Sequence, residues 1–146
     1  MVIVGCGGLG HMGIQYAKFV ILFDIKDNSK LTPSRAMGYK VVGLDIADQA
    51  LEEAKKCGAD HVFNSMTDKD WQKKVIDVTG GGADAVVNFT ASKKSYDDAP
   101  AIIRPGLGLL MVVGIPRQPL ELNALDIALG RYRVKGSNNG SKLTIK

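Results

Sequence analysis

Familiar catalytic and metal-binding patterns are scarce in this chain of 146 residues. It has two cysteines and two histidines, and neither Cys-x-x-Cys nor His-x-x-x-His occurs, so the ligand spacing typical of a zinc site is missing. The absence of Tyr-x-x-x-Lys argues against a short-chain dehydrogenase. The absence of Gly-x-Ser-x-Gly argues against a hydrolase with a nucleophile elbow. No lysine follows a glycine-rich turn as it does in a P-loop.

Long apolar runs and blocks of one charge are missing as well. No stretch of 18 apolar residues and no signal peptide occurs, so we expect no membrane partner. The net charge is +4, and aromatic residues make up 6% without alternating with basic ones, which argues against nucleic acid. Two cysteines without a pattern favour a reducing compartment, and we expect the cytoplasm. The length fits one domain, residues 1–146.

A glycine-rich segment follows the apolar run at the start of the chain. It reads Gly5-Cys6-Gly7-Gly8-Leu9-Gly10, a G-x-G-x-x-G between a predicted strand and a predicted helix. The first glycine allows a tight turn, the second lets the backbone approach a pyrophosphate, and the third lets the helix pack on the strand. The free N–H groups and the positive end of the helix dipole then face an anion. The motif therefore predicts a dinucleotide site.

An acidic residue ends the second predicted strand. Asp45 closes the run from Lys40, where a dinucleotide fold has a carboxylate that accepts hydrogen bonds from the adenosine ribose. The carboxylate repels the 2′-phosphate of NADP, and no arginine stands beside it, so we predict NAD. An alternative role for Asp45 is the N-cap of the next helix, and the two roles are compatible.

Strand and helix patterns alternate along the chain. Strands are predicted at the start and at 40–44, 61–63, 83–89, 107–113 and 132–135, and helices at 9–19, 48–56, 68–79, 92–103 and 123–130. The strands are nearly unbroken apolar runs, as in sheets that are covered on both faces. The pattern predicts an α/β fold with a doubly wound, six-stranded parallel sheet, the Rossmann fold.

Two further segments fall at predicted strand ends. The run from Val113 to Pro116 follows the fifth strand, and Gly114 there permits the close approach of a flat ring. Asn88-Phe89-Thr90 ends the fourth strand and is predicted to face the same crevice. A simple strand stop is the alternative for Gly114-Ile115-Pro116.

With these motifs the sequence resembles the zinc-containing alcohol dehydrogenases of the medium-chain dehydrogenase/reductase superfamily. The resemblance lies in the glycine segment and the residues up to Lys18, in 37–45, in 80–88 and in 103–116, and covers nearly the whole chain. It implies that Gly5, Gly7, Gly8, Leu9 and Gly10 bind the pyrophosphate of NAD and Asp45 the ribose. It also implies that Phe89, Thr90, Val113, Gly114 and Ile115 line the nicotinamide half.

The resemblance further implies a catalytic zinc, held in the family by two cysteines and a histidine upstream of the glycine segment. We therefore expect zinc and a small alcohol or aldehyde substrate in the intact parent, and no catalytic or metal-binding residue in this chain. Cys6, His11, Cys57 and His61 are the candidates for a substitute site, and their spacing argues against one. The isolated chain is expected to be inactive, and the parent to be a homo-oligomer.

One segment departs from the family pattern. Asp45 lies 40 positions after Gly5, whereas the fingerprint places the acid about 20 residues on. We place an insertion at about 19–35 and put forward the hypothesis of a retained intron translated in frame, because Lys30-Leu31-Thr32 can be encoded by a sequence with a fungal-type branch point. A genuine loop is the alternative.

Other interpretations of the whole chain stay open at this point. One is a non-catalytic nucleotide-binding or interaction module. Another is an S-adenosylmethionine-dependent methyltransferase domain, in which an acid after the second strand also meets a ribose. A third is a fragment that does not fold stably and exposes the sheet edge near 132–136.

Overall fold

The computed structural model describes residues 1–18 and 39–137, and within them it forms one six-stranded sheet flanked by helices. The strands are β1 (Val2–Val4), β2 (Val42–Asp45), β3 (His61–Asn64), β4 (Ala85–Asn88), β5 (Leu109–Val112) and β6 (Arg133–Gly136). The helices are α1 (Gly8–Lys18), α2 (Asp48–Lys56), α3 (Trp71–Thr79), α4 (Lys93–Asp98) and α5 (Ala124–Ala128). A short 3-10 helix, Ala99–Ile102, continues α4.

Every strand pairing in the sheet is parallel, and the strand order is β3-β2-β1-β4-β5-β6. The chain therefore builds one half of the sheet outward from β1 and then returns to place β4 on the other side of β1. The order reverses between β1 and β4, and in such sheets a crevice opens there at the carboxyl ends of the strands. The predicted doubly wound parallel sheet of six strands is confirmed.

The core consists of two apolar layers, one on each face of the sheet. Successive side chains of a strand point to opposite faces, so Val2 and Val4 join one layer and Ile3 joins the other. The Val4 layer includes Val86 and Leu110, and Ile14 of α1 packs in the Ile3 layer. Burial on both faces explains why the strands read as apolar runs without alternation.

The helix boundaries differ from the sequence prediction by three residues or more at two places. The helix predicted for 68–79 begins at Trp71, because the Asp68 carboxylate accepts the N–H of Asp70 and closes a turn before it. The helix predicted for 92–103 is α4 followed by the 3-10 helix. Pro100 lies in the first turn of the 3-10 helix, where an N–H has no partner within the helix, so its missing N–H costs no hydrogen bond.

Two glycines end helices as the sequence predicts. Gly80 follows α3 in the left-handed conformation, with φ of +65°, and donates its N–H to the Asp77 carbonyl. Gly58, with φ of +99°, comes shortly after α2. Only glycine adopts these angles without strain, so each position turns the chain toward the next strand.

The proposed insertion at 19–35 lies outside the described residues. Lys18 is the last described residue before this segment. Its ammonium donates to the Asp60 carboxylate at 2.7 Å and to the Tyr39 carbonyl at 3.4 Å. The same carboxylate accepts the N–H of Val41 at 2.7 Å. These bonds fasten the end of α1 to the residues that lead into β2 and β3.

None of the helices in ranges 1–18 and 39–137 has the length and the apolar character that crossing a bilayer requires.

We predict that Gly10→Ala destabilises the fold by about 3 kcal/mol or more, because a Cβ at Gly10 would lie 1.8 Å from the Gly5 carbonyl oxygen. Both atoms belong to the turn from β1 to α1, so neither has room to move. Gly8→Ala is the matched control, because nothing lies within 4 Å of its Cβ position in the same helix. Urea unfolding that showed equal stability for the two variants would contradict this account.

We also predict that Asp60 makes the free energy of unfolding depend on pH in the acidic range. Partial burial opposes its ionisation, but the hydrogen bonds from Lys18 and the Val41 N–H outweigh this and lower the pKa of Asp60. Its contribution is present above the unfolded-state pKa of about 3.9 and is lost as the pH falls through the lower folded-state value. Wild type should therefore lose stability below about pH 4 more steeply than Asp60→Asn in urea titrations. Parallel curves would show that the bond contributes nothing.

Candidate functional site

Two glycines of the turn that leaves β1, Gly5 and Gly10, have no room for a side chain. Gly5 has φ of +84°, and a Cβ there would lie 2.6 Å from the Thr90 side chain. Its N–H donates to the Leu44 carbonyl at 2.8 Å, which extends the parallel pairing of β1 with β2 by one residue. Because Gly10 in turn packs on the Gly5 carbonyl, α1 starts directly above the end of β1. The sequence prediction of a tight strand-to-helix turn is confirmed.

The two glycines in the middle of the turn face open space. Neither Gly7 nor Gly8 would bring a Cβ within 4 Å of another group. They line a hollow of about 450 Å³, which is also bounded by Leu9 and Phe89. The first N–H groups of a helix have no intrahelical acceptor, and the first turn of α1 contains no acidic residue. The hollow therefore offers backbone donors and a positive helix end to an anion.

The Asp45 carboxylate lies beside this turn. One oxygen, Oδ2, accepts the N–H of Cys6 at 2.7 Å, and the other, Oδ1, accepts the N–H groups of Ile46 at 2.7 Å and Ala47 at 3.0 Å. Three backbone donors thus hold the side chain in one orientation beside the glycine turn. The alternative that Asp45 is the N-cap residue of α2 is wrong, because Ala47 occupies that position and Asp45 accepts the N–H of Ala47 itself.

A second cavity, of about 430 Å³, continues from Asp45 along the carboxyl ends of β2, β3 and β4. Ile46 and Met66 stand at its sides with 58% and 68% of their surfaces exposed. Its remaining wall is rich in hydroxyl and charged groups from the segment after β4, namely Thr90, Ser92, Lys94, Ser95 and Asp98. The sequence analysis did not assign Met66 or Ser95 to the site. The position of Met66 shortly after a predicted strand was a signal that could have identified it, whereas Ser95 falls within a predicted helix and had no such signal.

A buried polar network supports the segment after β4. Asn88 is fully buried, and its Oδ1 accepts both the N–H of Thr90 at 2.9 Å and the Thr90 hydroxyl at 2.8 Å. Its Nδ2 donates to the Ser95 hydroxyl at 2.8 Å. The amide thereby satisfies its polar atoms and fixes Thr90 against the glycine turn. The network links the floor of the second cavity to β4.

The structure brings together the five residues predicted for the nicotinamide half, all of them just beyond β4 and β5. Phe89 borders the glycine hollow, and its ring packs over Gly13 of α1. A Cβ at Gly114 would lie 2.1 Å from the carbonyl oxygen of Thr90, so contact with that backbone already requires a glycine there. Val113 is half-buried, whereas Ile115 is 69% exposed at the rim.

Zinc does not fit the cysteines and histidines of this part of the chain. In ranges 1–18 and 39–137 no three His, Cys, Asp or Glu side chains lie close enough to hold a metal ion. Burial, and secondarily the charge of Asp45, raises the pKa of the Cys6 thiol to about 12. Its sulfur lies under the glycine turn, 3.6 Å from the Leu44 carbonyl oxygen, and therefore packs as a neutral thiol. His11 places Nδ1 2.9 Å from the Gly7 carbonyl oxygen.

Two solved structures share this architecture. The alcohol dehydrogenase from the archaeon Aeropyrum pernix aligns with a TM-score of 0.75 and 28% identity, over 97% of this chain and 36% of that one. The D-arabinose dehydrogenase from Sulfolobus solfataricus aligns with a TM-score of 0.74 over 97% of this chain and 38% of that one. The latter is 24% identical and supports the fold alone.

Curated relatives extend the likeness to sequence. The chain is 35% identical over 140 residues to an alcohol dehydrogenase of Geobacillus stearothermophilus, which covers 96% of this chain and 35% of that protein. It is 33% identical over 148 residues to an alcohol dehydrogenase of Moraxella sp. strain TAE123, covering all of this chain and 37% of that protein. The chain thus spans about a third of the length of these relatives.

The family model for zinc-binding dehydrogenases matches residues 33–146. It supports the dehydrogenase interpretation rather than the methyltransferase or the non-catalytic module. With its parallel sheet, its glycine turn and these relatives, the chain belongs to the zinc-binding dehydrogenase family.

Proposed function

We propose that this chain is the NAD-binding domain of an alcohol dehydrogenase, a single domain over residues 1–146 with an insertion at about 19–35. In the whole protein, hydride would pass between a primary or secondary alcohol and NAD. The observation that carries the proposal is the Asp45 carboxylate, which lines the second cavity and is held by the Cys6 N–H. Gly5 lines both this cavity and the glycine hollow, so the carboxylate lies close to their junction. That junction is where a dinucleotide requires an acceptor for its ribose hydroxyls.

The described residues fit a dinucleotide at three successive points. Gly7 and Gly8 leave the hollow open beside the helix N-terminus, which suits the pyrophosphate. Asp45 accepts two backbone N–H groups at Oδ1 and one at Oδ2, so Oδ2 retains a lone pair for a ribose hydroxyl. Ile46 and Met66 offer apolar surface at the sides of the second cavity, which suits an adenine ring.

The nicotinamide half is proposed to lie against Phe89, Thr90, Val113, Gly114 and Ile115. Bound nicotinamide supplies a ring carbon, C4, that accepts the hydride. The chain's own contribution is to orient that ring and to exclude water from one side of it. Zinc and the alcohol are assigned to the remainder of the parent protein, so we expect the isolated chain not to oxidise ethanol.

We also propose a cytoplasmic, homo-oligomeric parent that acts on a small alcohol or aldehyde and binds neither nucleic acid nor a membrane. The support for an oligomer is the edge of the sheet. Among the described strands, β6 pairs with β5 alone, and its outer row of backbone groups is available to another chain.

Gly7→Ala should abolish most NADH binding without unfolding the protein. The added methyl group would stand in the hollow where the pyrophosphate approaches, and it meets nothing in the protein within 4 Å. We expect the free energy of unfolding to change by less than about 0.5 kcal/mol and NADH affinity in calorimetry to fall roughly tenfold or more. Gly136→Ala, on the outer strand β6, also has an open Cβ position and serves as control. Unchanged NADH binding by Gly7→Ala would place the pyrophosphate elsewhere.

Asp45→Asn tests the proposed function itself through the choice of cofactor. Loss of the carboxylate should lower the affinity for NADH roughly tenfold, because a charged acceptor of ribose hydroxyls is lost. The affinity for NADPH should change little, because the repulsion of its 2′-phosphate by the carboxylate is lost as well. The ratio of the two affinities, measured by calorimetry, is insensitive to partial unfolding. Asp84→Asn, at the opposite end of β4, is the matched control and should leave the ratio unchanged. An unaltered ratio in Asp45→Asn, or wild type that binds neither cofactor, would refute the proposal.

A further inference from the structure

The side chain of Tyr96 lies beneath the crevice and joins the ends of two strands. It is on α4, is 4% exposed, and its hydroxyl oxygen lies 2.5 Å from the Gly114 carbonyl oxygen and 3.2 Å from the Asn88 carbonyl oxygen. Asn88 ends β4, and Gly114 follows β5 by two residues. The hydroxyl is therefore placed between the two segments that border the proposed nicotinamide half.

The proton of this hydroxyl belongs to the bond with Gly114. A tyrosine hydroxyl donates one hydrogen, and the Asn88 carbonyl already accepts the N–H groups of Val113 at 3.1 Å and of Gly114 at 2.9 Å. Among the hydrogen bonds within the described part of the chain, the Gly114 carbonyl has Tyr96 as its one donor. Removal of the hydroxyl would leave that carbonyl unpaired beside the Thr90 backbone.

The hydrogen bond from Tyr96 to the Gly114 carbonyl fixes the whole Gly114–Ile115 peptide group. Residues 113–117 lie outside regular secondary structure, so the orientation of their peptide groups depends on individual contacts. In a trans peptide the carbonyl and the next N–H point in opposite directions, so holding the Gly114 carbonyl toward Tyr96 also turns the Ile115 N–H away from it. The exposed Ile115 side chain does little to hold this peptide in place.

We propose that Tyr96 is a positioning residue that fixes the Gly114–Ile115 peptide for recognition of the nicotinamide half of the dinucleotide. This inference rests on the proposed function and adds a specific residue to it. Tyr96 acts through the backbone of 113–115 and does not itself touch the cofactor. Its role is distinct from that of Asn88, whose side chain fixes Thr90 and not the Gly114–Ile115 peptide.

The test compares ligands with and without nicotinamide in Tyr96→Phe. This variant keeps the ring and removes the hydroxyl, and Tyr132→Phe is the matched control because Tyr132 is also buried but precedes the outer strand β6. In calorimetry, Tyr96→Phe should lower the affinity for NADH roughly three- to tenfold and leave the affinity for ADP-ribose unchanged. Tyr132→Phe should leave both ligands unchanged. Equal weakening of the two ligands by Tyr96→Phe, no weakening at all, or equal affinity of wild type for both would overturn the proposal.

Hydrogen exchange of the free protein separates this inference from the proposed function. In Tyr96→Phe, the amides of 113–115 should exchange roughly threefold faster or more than in wild type, whereas in Tyr132→Phe they should not. If wild type binds neither ligand, the proposed function fails and the nicotinamide role fails with it, while faster exchange would still show that Tyr96 holds the peptide. Unchanged exchange in Tyr96→Phe would overturn the positioning role even if NADH binds.

Discussion

Between β1 and α1 the chain turns so tightly that the Gly5 carbonyl oxygen lies 1.8 Å from where a Cβ of Gly10 would be. This backbone contact sets the direction in which α1 leaves the sheet and aims the start of the helix at the crevice. It also brings the N–H of Cys6 within reach of the Asp45 carboxylate on the neighbouring strand. The hollow and the fixed carboxylate are therefore two consequences of one close approach.

The crevice is held open by bonds that join each strand end to its neighbour. At three strand boundaries, a residue one or two positions beyond one strand donates its N–H to a carbonyl in the last two residues of a neighbouring strand. These bonds are Gly5 to Leu44 at 2.8 Å, Phe89 to Val4 at 2.9 Å and Gly114 to Asn88 at 2.9 Å. Beyond these bonds the segments diverge, and hydrogen bonds from side chains such as Asn88 and Tyr96 hold the loops in place. The floor of the site is thus a continuation of the parallel sheet.

Local patterns sufficed to predict the elements and their order because most of them have a local cause. Apolar runs marked the buried strands, and Gly80 marked the end of α3 because its left-handed conformation is accessible to few other residues. Hydrogen bonds of polar side chains had no such mark, even where the partners are close in sequence. The start of α3 depended on a turn at Asp68, and Asn88 gave no sign that its amide would be buried and bonded to Thr90 and Ser95. Gly114 was interpreted as making room for a ligand, whereas the Thr90 backbone is a sufficient cause.

The sequence by itself determined the parallel sheet, the glycine turn and the presence of an acid at the end of β2, because periodicity and glycine placement act within a few residues of the chain. Only the tertiary structure decided what that acid does, since Asp45 and Cys6 are 39 positions apart and meet through the pairing of β1 with β2. The same holds for Tyr96 and Gly114, which the parallel pairing of β4 with β5 brings together. Such bonds depend on which strands become neighbours, and strand neighbours are chosen by the packing of the whole sheet.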